Sequence, residues 1–250
     1  LGDRIYVSAR ERPHRGGCYA EEIVIREDES IKVPDSVDME AVATLANYQV
    51  AWHLLWNMAR IKRGDTILVF AAAGGVGSSI VQLALIAGAN IIGVASGEAK
   101  GKFLQELGAA DVIDRSKEDI NSRVKEITNG RGVDFVFDPI GGPQTADKLS
   151  TLAPLGTSIV YGRLAGPMDG DFAHSMRERL SDSIGIRSFS IHAFDKHRPN
   201  RMEATDALMA LLSDHLLKPH IHARLPLSEA QRAHEMLEAG TVLGKILLKP

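Results

Sequence analysis

The sequence has 250 residues, 44% of them hydrophobic and 24% charged, the balance of a soluble globular protein with enough chain for one large core or two smaller ones. A formal net charge of −3 argues against a general nucleic-acid binder, and the lone Cys18 excludes an internal disulfide or a multi-cysteine zinc lobe. No apolar run has the length of a membrane span, and neither a secretory leader nor an internal repeat is visible. The expected partner is therefore a small molecule in a reducing, cytoplasmic setting, not nucleic acid or a membrane.

Residues 1–45 read as β-rich. Ile5-Tyr6-Val7 and Glu22-Ile23-Val24-Ile25 carry strand patterns, and residues 12–17 between them form a polar, turn-rich loop. Ile31-Lys32-Val33-Pro34 is extended, because proline biases its predecessor away from helix. Ser36 suits the cap of a turn into a helical stretch at 39–45, and a second helix fits 51–61. Arg63-Gly64-Asp65 then turns the chain into its central stretch.

That stretch runs over residues 66–88. Thr66-Ile67-Leu68-Val69-Phe70 is apolar and β-branched, Ala71-Ala72-Ala73-Gly74-Gly75-Val76-Gly77 is a small-residue turn, and the apolar spacing of residues 78–87 predicts a helix closed by Gly88. A strand, a glycine turn and a helix in this order make a phosphate site. The helix N-terminus presents unpaired N–H groups, and glycine lets an anion come close to them. Gly74 and Gly77 occupy the second and third positions of the dinucleotide fingerprint, with Ala72 at the first.

The alternation continues with strands at 91–95, 111–113, 133–137, 157–161 and 188–191, and helices at 100–107, 120–128 and 144–152. Such spacing predicts an α/β fold, a doubly wound parallel sheet of Rossmann type with its ligand outside the carboxyl ends of the strands. The tail reads as a helix at 202–217, a strand at 221–225, a helix from Ser228 (its cap) to 237 and a last strand at 244–248. It joins residues 1–45 in a second lobe. The expected divisions are 1–45, 46–195 for the nucleotide domain, and 196–250.

An NAD site expects a carboxylate at the end of the second strand. Here Ser96-Gly97 stand there, Lys100 lies one helical turn on, and Arg115 follows the third strand. A hydroxyl and two cations suit a 2′-phosphate, so NADPH is the expected cofactor; Glu98 is the carboxylate that would take the opposite role in a differently bent loop. His220 and His222 share one face of a strand without a third ligand, His53 and His192 read as core or rim residues, and Cys18 sits in a turn. No metal site and no nucleophile–base pair emerges.

Taken together the residues resemble the zinc-independent quinone oxidoreductases, the zeta-crystallin-like group of medium-chain dehydrogenases/reductases. The resemblance is carried by Gly2-Asp3-Arg4-Ile5-Tyr6-Val7, Gly17-Cys18-Tyr19-Ala20-Glu21, Asn47-Tyr48, Lys62-Arg63-Gly64-Asp65-Thr66, the turn at 71–77, Glu106-Leu107-Gly108-Ala109, Val133-Asp134-Phe135-Val136-Phe137-Asp138, Leu152-Ala153-Pro154-Leu155-Gly156 and Gly244-Lys245-Ile246-Leu247-Leu248.

The resemblance implies a β-rich GroES-like lobe, only part of which is present. The family's further N-terminal residues, which help to form the substrate pocket, would precede Gly2. It implies NADPH held at the pyrophosphate by Ala73, Gly74, Gly75, Val76 and Gly77, and at the adenine end by Ser96, Lys100 and Arg115. Ile140, Tyr161, Gly162, Arg163, Leu164 and Phe194 would lie about the nicotinamide. The family usually has Tyr where Arg115 stands and often Thr where Val50 stands.

Zinc members of the superfamily place a Cys ligand at the position of Asn47, a poor zinc ligand. The implied reaction is hydride transfer to a quinone or α,β-unsaturated carbonyl, with Asn47 and Tyr48 touching substrate or nicotinamide and no catalytic side chain assigned. The alternatives are an enoyl-thioester reductase and a non-catalytic NADPH-binding protein. The resemblance also implies a homodimer joined through the edge of the cofactor sheet at 188–191. Residues 166–185, longer than in simple relatives and carrying Asp169, Asp171, Arg177 and Arg179, are expected to be a solvated loop.

Overall fold

The computed structural model describes residues 2–10 and 16–250, so most of the loop expected at 12–17 lies outside the described residues. The chain divides into two units, one made of the residues up to Val50 with Phe194–Pro250, the other of Ala51–Ala193.

In the first unit β1 (Ile5–Val7) pairs antiparallel with β2 (Ser30–Lys32), Tyr6 opposite Ile31. The Arg4 guanidinium donates to the carbonyls of Pro34 (3.2 Å) and Asp35 (2.8 Å), which holds the extended run beyond β2 in place. The strand expected at 22–25 does not form. Those residues are irregular, and Val24 is 94% exposed. An apolar, β-branched run makes a strand only where another strand accepts its ladder, and none does among the described residues.

Helix α1 (Met39–Val42) is capped by Asp38, whose carboxylate accepts the amides of Glu40 and Ala41. Asp38 immediately precedes the first helical residue with extended backbone, the geometry a cap needs. Ser36, expected in that role, instead shares a 2.7 Å hydrogen bond with the Ser213 hydroxyl. Helix α2 (Leu45–Trp52) follows.

The second unit opens where an α-helix was expected over 51–61 and a π-helical segment, His53–Ala59, is found. Asn57 meets the buried His53 Nδ1 at 2.9 Å, Trp52 and Trp56 stack at 4.2 Å between ring centroids, and Arg60 ends the segment with φ of 55°.

Six strands then build one parallel sheet: β3 (Thr66–Phe70), β4 (Asn90–Ala95), β5 (Asp111–Asp114), β6 (Val133–Asp138), β7 (Leu152–Val160) and β8 (Gly185–Ser188), in the order β5-β4-β3-β6-β7-β8. Helices α3 (Gly75–Ile86), α4 (Glu98–Leu107) and α5 (Ile120–Ile127) connect the first strands. The strand order reverses between β3 and β6, the switch point of a Rossmann-type sheet, where a crevice opens at the strand ends. Leu68, Phe70, Ile92, Val94, Ile113 and Val136 form the core of one face of this sheet, closed by Val124 of α5 and Leu149.

Three further expectations are corrected in this unit. The helix expected at 144–152 is two 3-10 turns, Pro143–Thr145 and Asp147–Thr151. Thr145, Ser150 and Thr151 each donate their hydroxyl to the carbonyl three residues back, a bond that favours the tighter turn. The sixth strand is 185–188, not 188–191, because its register against Thr157–Val160 is set by β7 and the ladder ends where Phe189 N–H reaches Val160 O at 2.8 Å.

Residues 166–185 are not merely a solvated loop. They contain α6 (Phe172–Glu178), capped by Asp171, and Arg179, which pairs with Asp182 and donates to the carbonyls of Leu149, Ser150 and Leu152. Arg179 thus pins this segment to the start of β7.

The rest of the first unit begins with α7 (Arg198–Ser213), four residues ahead of the expected start, with a proline in its first turn. Gln49 donates to the Thr205 hydroxyl at 2.8 Å, both buried, and so ties α2 to α7. Strand β9 (Ile221–Pro226), helix α8 (Ala230–Glu238) and β10 (Lys245–Lys249) form a parallel βαβ unit. Glu229, the last residue of the 3-10 turn Leu227–Glu229, is the N-cap of α8 in place of Ser228, which lies one residue further out. Glu40 of α1 holds Arg224 (2.7 Å) and Lys249 (2.6 Å), one from each strand, and these two cations keep its pKa low.

Candidate cofactor site

The glycine turn is built by two close approaches. Ala71 takes a left-handed backbone (φ 49°), and its carbonyl accepts the Gly74 amide at 3.0 Å. A Cβ on Gly77 would stand 2.3 Å from Ala71 O and 2.7 Å from Ala72 Cα, so only glycine lets α3 pack this tightly on the end of β3. Ala72, at the first position of the fingerprint, is buried and donates its amide to Val94 O of β4. Ala73, within the turn, is buried as well. Gly74 is the N-cap, and the first bond of the helix runs from Ser78 N–H to Gly74 O at 2.8 Å. The amides of Gly75, Val76 and Gly77 therefore precede the helical ladder, at the positive end of the α3 dipole.

Across the strand ends, Arg115 Nε donates to Ser96 Oγ at 2.7 Å, which joins the residues after β5 and β4. Arg115 is exposed, and Lys100 is half-buried on the first turn of α4. Glu98 is exposed at the start of the same helix. Asp114 accepts the Ser116 hydroxyl (2.6 Å), the Ser116 amide (3.1 Å) and the Gly97 amide (3.2 Å). These hydrogen bonds hold its carboxyl below the usual range, so it is ionised and occupied in shaping the turn.

The loops after β6 and β7 form a second corner of the same sheet end. Asp138 is fully buried; its Oδ1 accepts the amides of Ile140 (2.8 Å) and Gly141 (3.4 Å), and its Oδ2 meets Lys148 Nζ at 2.6 Å. Lys148 is itself buried, with Nζ 4.8 Å from the centre of the Phe70 ring. The second loop is laced to the first. Tyr161 N–H donates to Asp138 O (2.9 Å), Leu164 N–H to Pro139 O (3.3 Å) and Ala165 N–H to Ile140 O (2.8 Å). A Cβ on Gly162 would stand 2.3 Å from Pro139 O.

Ile140, Tyr161, Gly162, Arg163 and Leu164 thus share one corner, with Arg163 and Leu164 exposed. Burial, and then the charge of Asp138, push the Tyr161 phenol well above its ordinary pKa, so it stays protonated. A cavity of about 300 Å³, lined among others by Phe70, Arg115 and Lys148 and by the acids Glu118, Asp119 and Asp147, lies at this end of the sheet.

Three expected site residues belong to the first unit. Asn47 is half-buried and Tyr48 buried on α2, and Phe194 is half-buried at the end of the 3-10 turn Ile191–Phe194. No group of three or more His, Cys, Asp or Glu able to hold a metal occurs among the described residues. His222 Nδ1 instead accepts the Leu243 amide at 3.4 Å, and Cys18 is an exposed free thiol. No helix among the described residues is long and apolar enough to cross a membrane.

A family model described as "Zinc-binding dehydrogenase" matches residues 75–202, from the first residue of α3 through all of the sheet beyond it. The quinone oxidoreductase of Pseudomonas aeruginosa is 31% identical over 236 residues, a match covering 94% of this chain and 72% of that protein. The chain belongs to the quinone oxidoreductase family. Within the medium-chain dehydrogenases/reductases this is a zinc-independent group. A 2-haloacrylate reductase of a Burkholderia species is 30% identical, with 94% of this chain and 71% of that protein covered. The solved structure of Escherichia coli quinone oxidoreductase complexed with NADPH superposes with a TM-score of 0.82 at 30% identity, covering 89% of this chain and 69% of that one.

As a quinone oxidoreductase-family chain it has features that its sequence leaves unmarked. The structure adds Asp114, Asp138 and Lys148 to the residues expected there. The Asp114-Arg115-Ser116 spacing, an acid two residues before a hydroxyl, was a readable turn signal for the first. Nothing in the spacing of Asp138 and Lys148, separated by a turn of glycine and proline, marks them as partners.

Proposed function

We propose that this chain binds NADPH at the carboxyl ends of β3, β4, β6 and β7 and reduces a quinone or an α,β-unsaturated carbonyl. The observation that carries the reading is the Ser96–Arg115 hydrogen bond at the strand ends, with Lys100 on the first turn of α4, the helix that follows Ser96. The cofactor fits the residues present. Gly77 lets α3 pack closely on the end of β3, the amides of Gly75, Val76 and Gly77 precede the ladder, and Asp114, next to Arg115, already takes three donors.

NADPH, when bound, supplies the hydride. The chain's own share is binding and orientation. The turn residues 73–77 receive the pyrophosphate on backbone amides, which need no side-chain charge to do so. Ser96, Lys100 and Arg115 meet the 2′-phosphate, where Arg115 offers two-pronged donors and Lys100 a point charge. Ile140 and Tyr161, Gly162, Arg163 and Leu164 bound the nicotinamide end. Asn47, Tyr48 and Phe194 are assigned to the acceptor and nicotinamide by family resemblance, and no side chain is assigned the proton transfer, which water can serve. A homodimer formed through the β8 edge belongs to the same reading.

The test is incubation with NADPH and 9,10-phenanthrenequinone while the nicotinamide absorbance is followed. Quinone-dependent loss of absorbance is expected. Binding of NADPH without turnover of this quinone, of 2-chloroacrylate or of crotonyl-CoA would instead support a non-catalytic NADPH-binding protein. Turnover of crotonyl-CoA alone would support the enoyl-thioester reading.

A further inference from the structure

We propose that the buried Asp138–Lys148 pair is a positioning device that holds the loops after β6 and β7 in the shape the nicotinamide end of the cofactor requires. The inference rests on the reading above that these loops receive the nicotinamide. Asp138 uses one carboxylate oxygen to fix the amides of Ile140 and Gly141 and the other to bind Lys148. Both residues are buried, so each charge needs the other. Through three backbone bonds, to Asp138 O, Pro139 O and Ile140 O, the first loop then dictates the path of the second. Lys148 comes from a 3-10 turn outside both loops and is steadied against Phe70 at the end of β3. The clamp therefore ties the nicotinamide corner to the strand that carries the glycine turn. Neither side chain needs to touch the cofactor to act.

A clamp of this kind makes a prediction that a general stabilising role does not. Lys148→Met should weaken NADPH binding at least about tenfold and lower kcat roughly ten- to a hundredfold, the scale expected for a small misplacement of reacting groups. The same variant should bind 2′,5′-ADP, which carries the adenine and 2′-phosphate end alone, within about twofold of wild type. Lys148→Arg, which keeps the charge, should restore much of the NADPH affinity.

Where Lys148→Met leaves Asp138 too poorly compensated to fold, the double variant D138N/K148M removes both charges and should show the same split in smaller degree. Equal losses for the two ligands, or no loss for either in a folded variant, would overturn the proposal. A wild-type chain that binds neither ligand would sink the cofactor reading instead. The clamp is then decided by amide hydrogen exchange. Faster exchange confined to Ile140, Gly141 and Ala165 in the double variant supports it, and unchanged exchange there refutes it.

Discussion

At the scale of single residues, the site rests on positions where one atom more would collide. Gly77→Ala places a methyl group against the Ala71 carbonyl and the Ala72 backbone, neither of which can move without bending β3. A destabilisation of about 1–3 kcal/mol is expected from such overpacking, read as a lowered midpoint in thermal or urea unfolding, together with loss of NADPH binding. Lys100→Ala removes charge without touching the fold. NADPH affinity should fall about tenfold, the worth of a hydrogen bond to a charged group, and NADH affinity should hold. Equal losses for both cofactors would remove the 2′-phosphate from the assignment. The place of Gly77 was legible because it acts through a local turn pattern, and that of Lys100 because the first turn of a helix is written in neighbouring residues. Asp138 and Lys148 were not, because what matters about them is that both are buried and touching, and burial is a property of the packed unit.

At the scale of elements, boundaries moved wherever a side chain or a neighbouring strand outbid the local pattern. Hydroxyl-to-carbonyl bonds turned 144–152 into 3-10 turns, Asp38 displaced Ser36 as a cap, and the register of β7 drew β8 back to 185–188. The π-helical turn at His53–Ala59 had no herald in an apolar spacing that suited an α-helix equally well.

The join between β3 and β6 has a pH signature. Burial pushes the Asp134 carboxyl up, but Arg131 and the Thr66 amide (2.8 Å) outweigh it, and its pKa is lowered overall. A carboxyl depressed in the folded state contributes stability above its unfolded value near about 4, and that stability is lost as pH falls through the folded value. The unfolding midpoint of Asp134→Asn should therefore fall less steeply than that of wild type as pH drops from about 5 to 3. Parallel curves would deny Asp134 this part.

At the scale of the molecule, the sheet has two edges, β5 and β8. Successive amides alternate along a strand. Since Phe189 N–H points to Val160 O, the amide of Ser188 points away from β7, into the open edge. Ser188→Pro removes that outward donor and spares the ladder within the sheet. If two copies join along β8, wild type should sediment as a dimer and this variant as a monomer; a dimer that survives the substitution places the interface elsewhere.

The sequence by itself determined the α/β alternation, the glycine turn and the family, because each is written in neighbouring residues whose periods and turns need no distant partner. Only the tertiary structure decided which apolar runs found a strand to pair with, why Val24 found none, and that Asp138, Lys148 and the two loops above them form one clamp. A hydrogen bond within a turn is local chemistry. A buried charge pair is set by how a whole sheet end packs, and no spacing in the chain encodes it.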